Sequence, residues 1–313
     1  MATSGSASFN LNLNDIVEEA FERAGGELRS GYDLRTARRS LNLLFADWAN
    51  RGINLWTVEQ GSQILTPGLM SYPLPVDTVD LLEHVIRTQA NNSATQADLT
   101  ITRISVSTYA TIPNKLTQAR PIQIYINRQT GNAGPTGLIL SNTGVGVDSA
   151  ATSITLNSTA GLPASGYVQI GSETIFYSYI SGNTLSNCFR GQNGTTAASH
   201  LNGATVTLQQ LPCVTVWPVP DNSQTYTLVY WRLRRIQDAT TGITDFDIPF
   251  RFLSCLTAGL AYYIALKLPE GQERLGTLKG MYDEAWDLAA GEDREKAAAR
   301  LVPRQMFIGG ASY

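Results

Sequence analysis

The side chains best suited to catalysis are few in this sequence of 313 residues. Histidine occurs only as His84 and His200, and the cysteines are Cys188, Cys213 and Cys255. A Ser-His-Asp triad or a Cys-His pair needs a histidine beside its nucleophile, and with two histidines in the chain few such arrangements are possible. We predict that His84 is a half-buried structural residue and that His200 ties down a loop. The scattered cysteines indicate free, buried thiols in a reducing compartment.

Paired carboxylates are the other arrangement that could carry chemistry, such as glycoside hydrolysis. The candidate pairs are Glu18/Glu19, Asp245/Asp247, Glu284/Asp287 and Glu292/Asp293. All but the second lie on predicted helix surfaces, where a solvated charged face is the simpler interpretation. No HExxH or CxxC spacing predicts a metal site, and no glycine-rich segment continues into the Gly-Lys-Ser/Thr of a phosphate-binding loop. We therefore expect no enzyme activity, no cofactor and no metal.

Composition limits the classes of partner. Charged residues make up 16% of the chain, below the roughly 25% typical of soluble proteins, so neighbouring subunits are expected to cover part of the surface. The net charge is −3, and the basic runs are 232–235 and the C-terminal arginines, which argues against tight nucleic-acid binding. A surface that DNA only passes is compatible with this balance. The longest largely apolar stretch, 253–268, is too short and too mixed to span a bilayer, so no membrane partner is expected.

Helical periodicity is strong at both ends of the chain. Ile16, Val17, Ala20 and Phe21 form the stripe of one buried helical face, and Gly25 follows as a stop signal. The same reasoning predicts four helices, over residues 14–24, 33–51, 250–268 and 270–300. We expect the helices from both ends to pack together as a bundle.

The middle of the chain is rich in strands, and a Gly/Ser/Thr/Asn-rich stretch interrupts it. The strand predicted at 120–128 and the strand that begins at Val214 would be joined by a short hairpin if the intervening residues were removed. We predict a core domain of residues 1–131 and 213–313, and an inserted β domain, a sandwich or barrel, of residues 132–212. The predicted fold class is α+β: a helical bundle from both chain ends, a β-rich extension and an inserted all-β domain.

The last ten residues, 304–313, are predicted to form an extended tail. Met306, Phe307 and Ile308 are apolar and are followed by two glycines. The tail either folds back onto its own helices or docks into a neighbouring protein.

Several stretches together carry a resemblance to a known family. They are Ser40-Leu-Asn-Leu-Leu-Phe-Ala-Asp-Trp-Ala-Asn-Arg-Gly52, Tyr72-Pro-Leu-Pro75, Arg120-Pro121 with Arg128-Gln129, Val216-Trp-Pro-Val-Pro-Asp221 and Ala258-Gly-Leu-Ala-Tyr-Tyr-Ile-Ala-Leu-Lys267. In order and spacing they resemble the head-to-tail adaptor (connector, tail-accessory) proteins of tailed bacteriophages, especially short-tailed ones. The resemblance covers residues 9–131 and 213–305.

The resemblance implies a structural virion protein that forms a ring, typically of twelve copies, between the portal protein and the tail nozzle or tail tube. Such a ring continues the DNA channel, so contact with DNA would be transient. The protein would lie at the head-tail interface of the virion, and in the host cytoplasm during assembly. The resemblance also implies portal docking by the C-terminal segment, which here contains Arg300, Arg304, Met306, Phe307, Ile308 and Tyr313.

The insert departs from the minimal family pattern, and 170–192 resembles a small β module found within various phage virion proteins. On the outside of a ring it could contact capsid, tail fibres or neighbouring copies. One alternative function is therefore a module that binds a host glycan or a tail fibre, with aromatic residues at Tyr167, Phe176, Tyr177, Tyr179 and Phe189. Phe176 and Tyr177 alternate between the faces of a strand, so only one of them can point outward, and we expect most of these aromatic residues to lie in the core. The other alternative is a tail-associated peptidoglycan hydrolase.

Overall fold

The computed structural model describes residues 11–29, 31–52, 55–90, 92–129, 131, 134–142, 144, 146–239 and 246–293. The chain divides into two compact units. The first consists of Met1–Trp56 and Ile236–Tyr313, and the second of Thr57–Arg235.

The described residues contain five α-helices: α1 (Leu13–Ala24), α2 (Gly31–Arg51), α3 (Val106–Ala110), α4 (Leu253–Ala265) and α5 (Leu275–Glu292). The sixteen strands are β1 (Val58–Ile64), β2 (Ser71–Pro73), β3 (Thr78–Thr88), β4 (Ala97–Thr100), β5 (Thr102–Arg103), β6 (Gln123–Asn127), β7 (Leu138–Ile139), β8 (Gly146–Val147), β9 (Ser153–Thr155), β10 (Gly166–Ile170), β11 (Glu173–Ser181), β12 (Thr184–Gln192), β13 (His200–Leu201), β14 (Thr205–Gln209), β15 (Cys213–Trp217) and β16 (Tyr226–Arg234).

The predicted fold class is wrong. The described chain is mostly β, with sixteen strands in four sheets, one of them a half-barrel, and about 30% helix; it is not a helical bundle with a β insert. The error has a physical cause. Long amphipathic helices repeat their periodic signal over several turns, whereas many of these strands have only two to five residues and leave little periodicity to detect.

In the first unit, α1 follows directly from its sequence. Asn12 caps the helix, because its side chain accepts a hydrogen bond from the Asp15 N–H at 3.1 Å and the Asp15 side chain accepts one from the Asn12 N–H at 3.3 Å. Gly25 ends it with a φ of 89°, the left-handed conformation that glycine adopts without strain. Ile16 and Val17, on the predicted apolar face, are fully buried.

Helices α1, α2, α4 and α5 share one hydrophobic core. Trp48 of α2 lies at its centre and donates a hydrogen bond from its indole N–H to the hydroxyl of Tyr282 on α5, at 2.9 Å. The helix limits differ in part from the prediction, since Phe250–Phe252 and Pro269–Arg274 are 3-10 helices that precede α4 and α5. The predicted end of the last helix, 294–300, lies outside the described residues.

The second unit contains two four-stranded sheets that share a core. Their strand orders are β1-β16-β3-β4 and β2-β15-β6-β5. Leu81, Ile86 and Leu228 of the first sheet, with Ile124 and Val214 of the second, belong to one buried cluster. This pairing of sheets joins segments that are distant in sequence, and β1 pairs with β16 along its whole length.

Strands β7 to β14 all lie within the predicted insert, 132–212. Six of them form the sheet β7-β14-β10-β11-β12-β9, while β8 pairs with β13. Ile154, Val168, Ile175 and Leu185 belong to a separate hydrophobic core there. The strands on either side of the insert are antiparallel neighbours, with Asn127 of β6 opposite Cys213 of β15, so the predicted pairing of those two strands is confirmed.

Candidate functional site

A buried charged cluster joins β11, β12 and β13. The Glu173 side chain has no exposed surface, and its carboxylate lies 2.8 and 2.7 Å from Nε and Nη2 of Arg190 and 2.7 Å from Nε2 of His200. The backbone N–H groups of Gly191 and Ala198 also donate to it, at 2.9 and 3.1 Å. Arg190 further donates to the backbone oxygen of Ala198 at 2.6 Å.

The role of this cluster is to hold the chain after β12. Burial by itself would raise the pKa of Glu173, but the hydrogen bonds from Arg190, His200 and the two backbone N–H groups lower it to about 2. The carboxylate is therefore ionised at neutral pH, and protein donors occupy its acceptor sites. His200 ties down the loop, as its sequence context predicts, and Glu173 is poorly placed to act as a base.

The remaining histidine and the thiols are also poor catalysts. Burial lowers the pKa of His84, and its Nδ1 has no hydrogen-bond partner within the described part of the chain. All three cysteines are buried and free, as predicted. Burial raises the pKa of Cys188 and of Cys255 to about 12 and raises that of Cys213. Protonated thiols are weak nucleophiles.

Two of the candidate acidic pairs lie on helix surfaces, as expected. Glu18 is exposed on α1, and Glu19 forms an ion pair with Arg23 at 2.8 Å, one helical turn away. Glu284 and Asp287 are exposed on α5. Glu18 and Glu19 border an open surface depression, and Glu284 and Asp287 face solvent, so neither pair has the enclosed, apolar surroundings typical of two-carboxylate catalysis.

Of the other two pairs, one lies at the C-terminal end of α5 and the other precedes α4. Asp293 is buried at 3% exposure, accepts a hydrogen bond from the Leu55 N–H at 3.0 Å and forms an ion pair with Arg251, so the expectation of a solvated position is wrong for this residue. Glu292 is exposed. The backbone oxygen of Asp247 accepts a hydrogen bond from the Trp56 indole at 2.9 Å. Asp245 lies outside the described residues.

Two arginines of the basic run at 232–235 form ion pairs with acidic side chains. Arg232 lies 2.6 Å from Asp77 and 2.8 Å from Glu59, and Arg234 lies 2.6 Å from Glu59. Burial opposes the charged form of Asp77, yet its bonds to Arg232 lower the pKa of the carboxyl. The run therefore presents little net positive charge.

The predicted portal-docking residues lie outside the described residues. They are Arg300, Arg304, Met306, Phe307, Ile308 and Tyr313, together with the rest of the predicted tail, 304–313. Within the described ranges, no three His, Cys, Asp or Glu side chains are grouped to hold a metal ion. No helix in those ranges is both long and apolar enough to cross a bilayer.

The second unit contains a cleft of about 510 Å³. Its floor is the face of the β2-β15-β6 sheet opposite to the face that carries Tyr72 and Val214. Side chains alternate between the faces of a strand, so Ser71, Thr215 and Tyr125 line the cleft, while Tyr72 and Val214 enter the core. The volume falls within the range of about 300–1,000 Å³ that is usual for small-molecule sites.

Two tyrosines form an aromatic platform at one side of the cleft. The rings of Tyr109 on α3 and Tyr125 on β6 are stacked, with centroids 5.3 Å apart and planes 15° from parallel. The Tyr109 hydroxyl points to the Met70 sulfur at 3.9 Å, and Lys115 Nζ lies 5.4 Å from the Tyr109 ring centre. The Tyr125 hydroxyl makes no hydrogen bond to another described residue, so it is available to a ligand.

The opposite wall comes from the insert. Tyr167 of β10 and Phe176 of β11 pack against each other with centroids 5.0 Å apart, and the Tyr167 hydroxyl donates to Ser71 Oγ at 3.0 Å. The side-chain amide of Gln209, on β14, is held in place by hydrogen bonds at its nitrogen and at its oxygen. Its Nε2 donates to Gln169 at 2.7 Å, and its Oε1 accepts from Thr174 at 2.9 Å.

The described residues that line the cleft carry no charge. Besides those named above they are Asn127, Gln129, Gly161, Leu162, Pro163, Ser165, Gly166, Leu208, Gln210, Leu211 and Cys213. Burial raises the pKa of Tyr109 to about 12 and also raises the pKa of Tyr125 and Tyr167. The phenols therefore stay neutral at physiological pH. The cleft combines aromatic surface with side-chain amides and hydroxyls.

Sequence reasoning found part of this wall but not the platform. Of the five aromatic residues singled out, Tyr167 and Phe176 line the cleft. Tyr177 lies in the insert core, and Tyr179 is exposed. Phe176 and Tyr177 point to opposite faces, and both are buried, because a core covers each side of β11; Phe189 is partly buried. The expectation that most of these aromatic residues lie in a core is confirmed.

The chain matches no protein-family model and no curated protein.

Proposed function

We propose that this protein is a structural component of a tailed-bacteriophage particle, a head-to-tail adaptor that joins the portal to the tail as a ring. One observation carries the proposal. The five stretches behind the family resemblance are scattered along the sequence, but in the fold they gather into two places.

The first place is the contact of α2 with α4. Stretch 40–52 lies mainly on α2 and stretch 258–267 mainly on α4, and both contribute to one core. Lys267 Nζ donates to Ser40 Oγ at 2.6 Å, so the end of one stretch is bonded to the start of the other. A resemblance limited to chance similarities would not be expected to select residues that pack on each other.

The second place is the sheet of β2, β15 and β6. Tyr72 and Pro73 lie on β2, Val216 and Trp217 lie on β15, and Arg120-Pro121 and Arg128-Gln129 flank β6. These stretches therefore lie on or beside three neighbouring strands of one sheet.

Exposed apolar residues on the first unit support assembly. Met281 and Leu288 of α5 are seven residues apart, hence on one helical face, and are 45% and 69% exposed. Each copy in an adaptor ring contacts its two neighbours through different surfaces, and such heterologous contacts close into a ring. The acidic partners of Arg232 and Arg234 also suit a protein that DNA passes without being held.

The test is assembly with portal rings encoded by the same genome. Purified full-length protein is mixed with these rings, and the mass of the product is measured by native mass spectrometry. We expect about twelve copies per portal ring, by the family resemblance. A chain that ends after Pro303 should lose this binding, because it lacks the predicted docking residues from Arg304 to Tyr313.

A matched pair of variants separates ring contacts from general surface effects. Leu288→Glu places a charge on the exposed face of α5 and should reduce assembly, whereas Leu201→Glu changes a leucine that is 76% exposed in the insert and should not. Full-length protein that remains monomeric and ignores the portal would refute the adaptor proposal. Breakdown of purified peptidoglycan would instead favour the hydrolase alternative.

A further inference from the structure

The geometry points to the cleft between the β2-β15-β6 sheet and the insert as a binding site for an uncharged saccharide of one or two sugar rings. This inference goes beyond the adaptor proposal and does not depend on it. It rests on the chemistry of the described lining residues, which fits such a ligand and fits the other ligand classes poorly.

A charged ligand is disfavoured because no described lining residue is charged at neutral pH. Moving a phosphate, carboxylate or ammonium group into this cleft would remove water without supplying an opposite charge, which is costly. The Nζ of Lys115 lies 5.4 Å from the Tyr109 ring centre, but Lys115 is not a lining residue and its Nζ is bonded to the backbone oxygens of Ala110 and Ile112, at 3.2 and 3.0 Å.

A purely apolar ligand is disfavoured because it would leave polar groups without partners. The Tyr125 hydroxyl has no bond within the described chain, and the amides of Asn127 and Gln129 are bonded only locally, at the mouth of the cleft. An apolar group placed over them would displace water and return no hydrogen bond.

A peptide added as an extra strand does not suit the cleft. Strand addition requires an open sheet edge, whose unpaired N–H and C=O groups receive the new strand. The floor here is the face of a sheet in which β15 is hydrogen-bonded on both sides, to β2 and to β6. The ligand is therefore expected to meet side chains rather than a backbone ladder.

A neutral sugar fits the combination of aromatic rings, amides and hydroxyl groups in the cleft lining. Its hydroxyl groups both donate and accept, as do the side-chain amides of Asn127, Gln129 and Gln209, so an amide can bond to two neighbouring hydroxyls. Its C–H faces are apolar and can pack on an aromatic ring, and Tyr125 offers ring and hydroxyl together. The orientation of Gln209 by Gln169 and Thr174 prepares one of these contacts before a ligand arrives.

The experiment is saturation-transfer NMR on the full-length protein with four neutral disaccharides as probes: maltose, cellobiose, lactose and N,N′-diacetylchitobiose. Glucuronic acid, a single sugar ring that carries a carboxylate, serves as the charged comparison. We expect transfer to at least one neutral probe and none to glucuronic acid. No transfer to any neutral probe at millimolar concentration would overturn the inference, and so would an equal signal from the charged probe.

Variants then locate the binding. Tyr125→Ala should weaken the affinity for the bound probe at least tenfold, and Tyr125→Phe, which keeps the ring and is least disruptive to the fold, should weaken it by a smaller factor. Tyr179→Ala, an exposed tyrosine of the insert outside the lining, should leave the affinity unchanged. Binding that survives both Tyr125 variants would place the sugar elsewhere and overturn the assignment. Portal assembly of Tyr125→Phe should be normal, so the two proposals can fail separately.

Discussion

Replacing Arg190 by methionine keeps most of the length of the side chain but removes the charge that faces Glu173. The Arg190 and Glu173 side chains are 7% and 0% exposed, so water cannot easily replace the lost guanidinium. Glu173 would keep the bonds from His200, Gly191 and Ala198 but would lose its only permanently charged partner in the cluster. We expect the β11-β12 hairpin to lose a large part of its local stability.

The magnitude follows from the burial of the pair. Removing one partner of a buried ion pair typically costs about 3–5 kcal/mol. The fall in the pKa of Glu173 from 4.5 to about 2 corresponds to roughly 3 kcal/mol of preference for the ionised form, and Arg190 shares it with His200 and two backbone N–H groups. We take about 3 kcal/mol, the lower end of the range for buried pairs, which equals roughly a 100-fold change in an opening equilibrium at about 1.4 kcal/mol per factor of ten.

Hydrogen-deuterium exchange followed by mass spectrometry measures this directly in the full-length protein. Peptides that cover β11 and β12 should exchange roughly 100-fold faster in Arg190→Met, while peptides of α1 and α2 should not change. Arg87→Met is the matched control: its ion pair with Asp98 lies in the other part of the same unit, so exchange in β11 should stay as it is.

The reasoning would be refuted by a change of less than about fivefold in β11 and β12. The double variant Glu173→Met with Arg190→Met provides a second check. Replacing a whole buried ion pair by apolar side chains is often close to neutral, so the double variant should be more stable than Arg190→Met alone.

Two further predictions concern pH and packing. Because folding lowers the pKa of Glu173 to about 2, its contribution to the free energy of unfolding is full above about pH 4.5 and is lost as the pH falls toward 2. Urea unfolding followed by circular dichroism should show this loss of stability. The Glu173→Gln variant should lose that pH dependence. In α4, a Cβ at Gly259 would lie 2.9 Å from Tyr282 and 3.0 Å from Leu44, so Gly259→Ala should destabilise by about 1–3 kcal/mol. Gly280 of α5 has open space around that position, so Gly280→Ala should instead stabilise by roughly 0.5–1 kcal/mol; thermal unfolding that gives the same sign for both would contradict the packing argument.

The helices near the chain ends could be predicted because the residues that specify each helix lie close together in the sequence. The stripe at Ile16, Val17, Ala20 and Phe21 and the stop at Gly25 determine α1 almost to the residue. The fold class could not be predicted in the same way. β1 pairs with β16, far along the chain, and β5, β7, β8 and β13 have only two residues each, so neither local pattern nor chain order reveals the sheets.

The cleft was hidden from sequence reasoning for a related reason. An exposed strand face normally shows as alternation of apolar and polar residues, but residues 173–178 of β11 are all buried, since a core lies on each side. Tyr109 and Tyr125 come from a five-residue helix and a strand outside the insert, and only the fold stacks them. The available signal was the alternation of Ile124 and Ile126 with Gln123, Tyr125 and Asn127 in β6, which indicates a second strand face but not which residues meet it.

The position of the insert explains why a cleft forms where it does. The insert leaves the chain after β6 and returns at β15, two strands that are paired side by side, so both of its connections emerge at one end of the same sheet. Asn127 and Cys213, opposite each other at that end, line the cleft together with Tyr167 and Gln209 of the insert. Strand alternation places Ser71, Tyr125 and Thr215 on the face of this sheet opposite to Tyr72 and Val214, and the insert supplies the opposing wall. A chain without the insert would keep the tyrosine platform but lose the wall, so we expect the saccharide site to depend on the insert and portal assembly to depend on the first unit and the C-terminal residues.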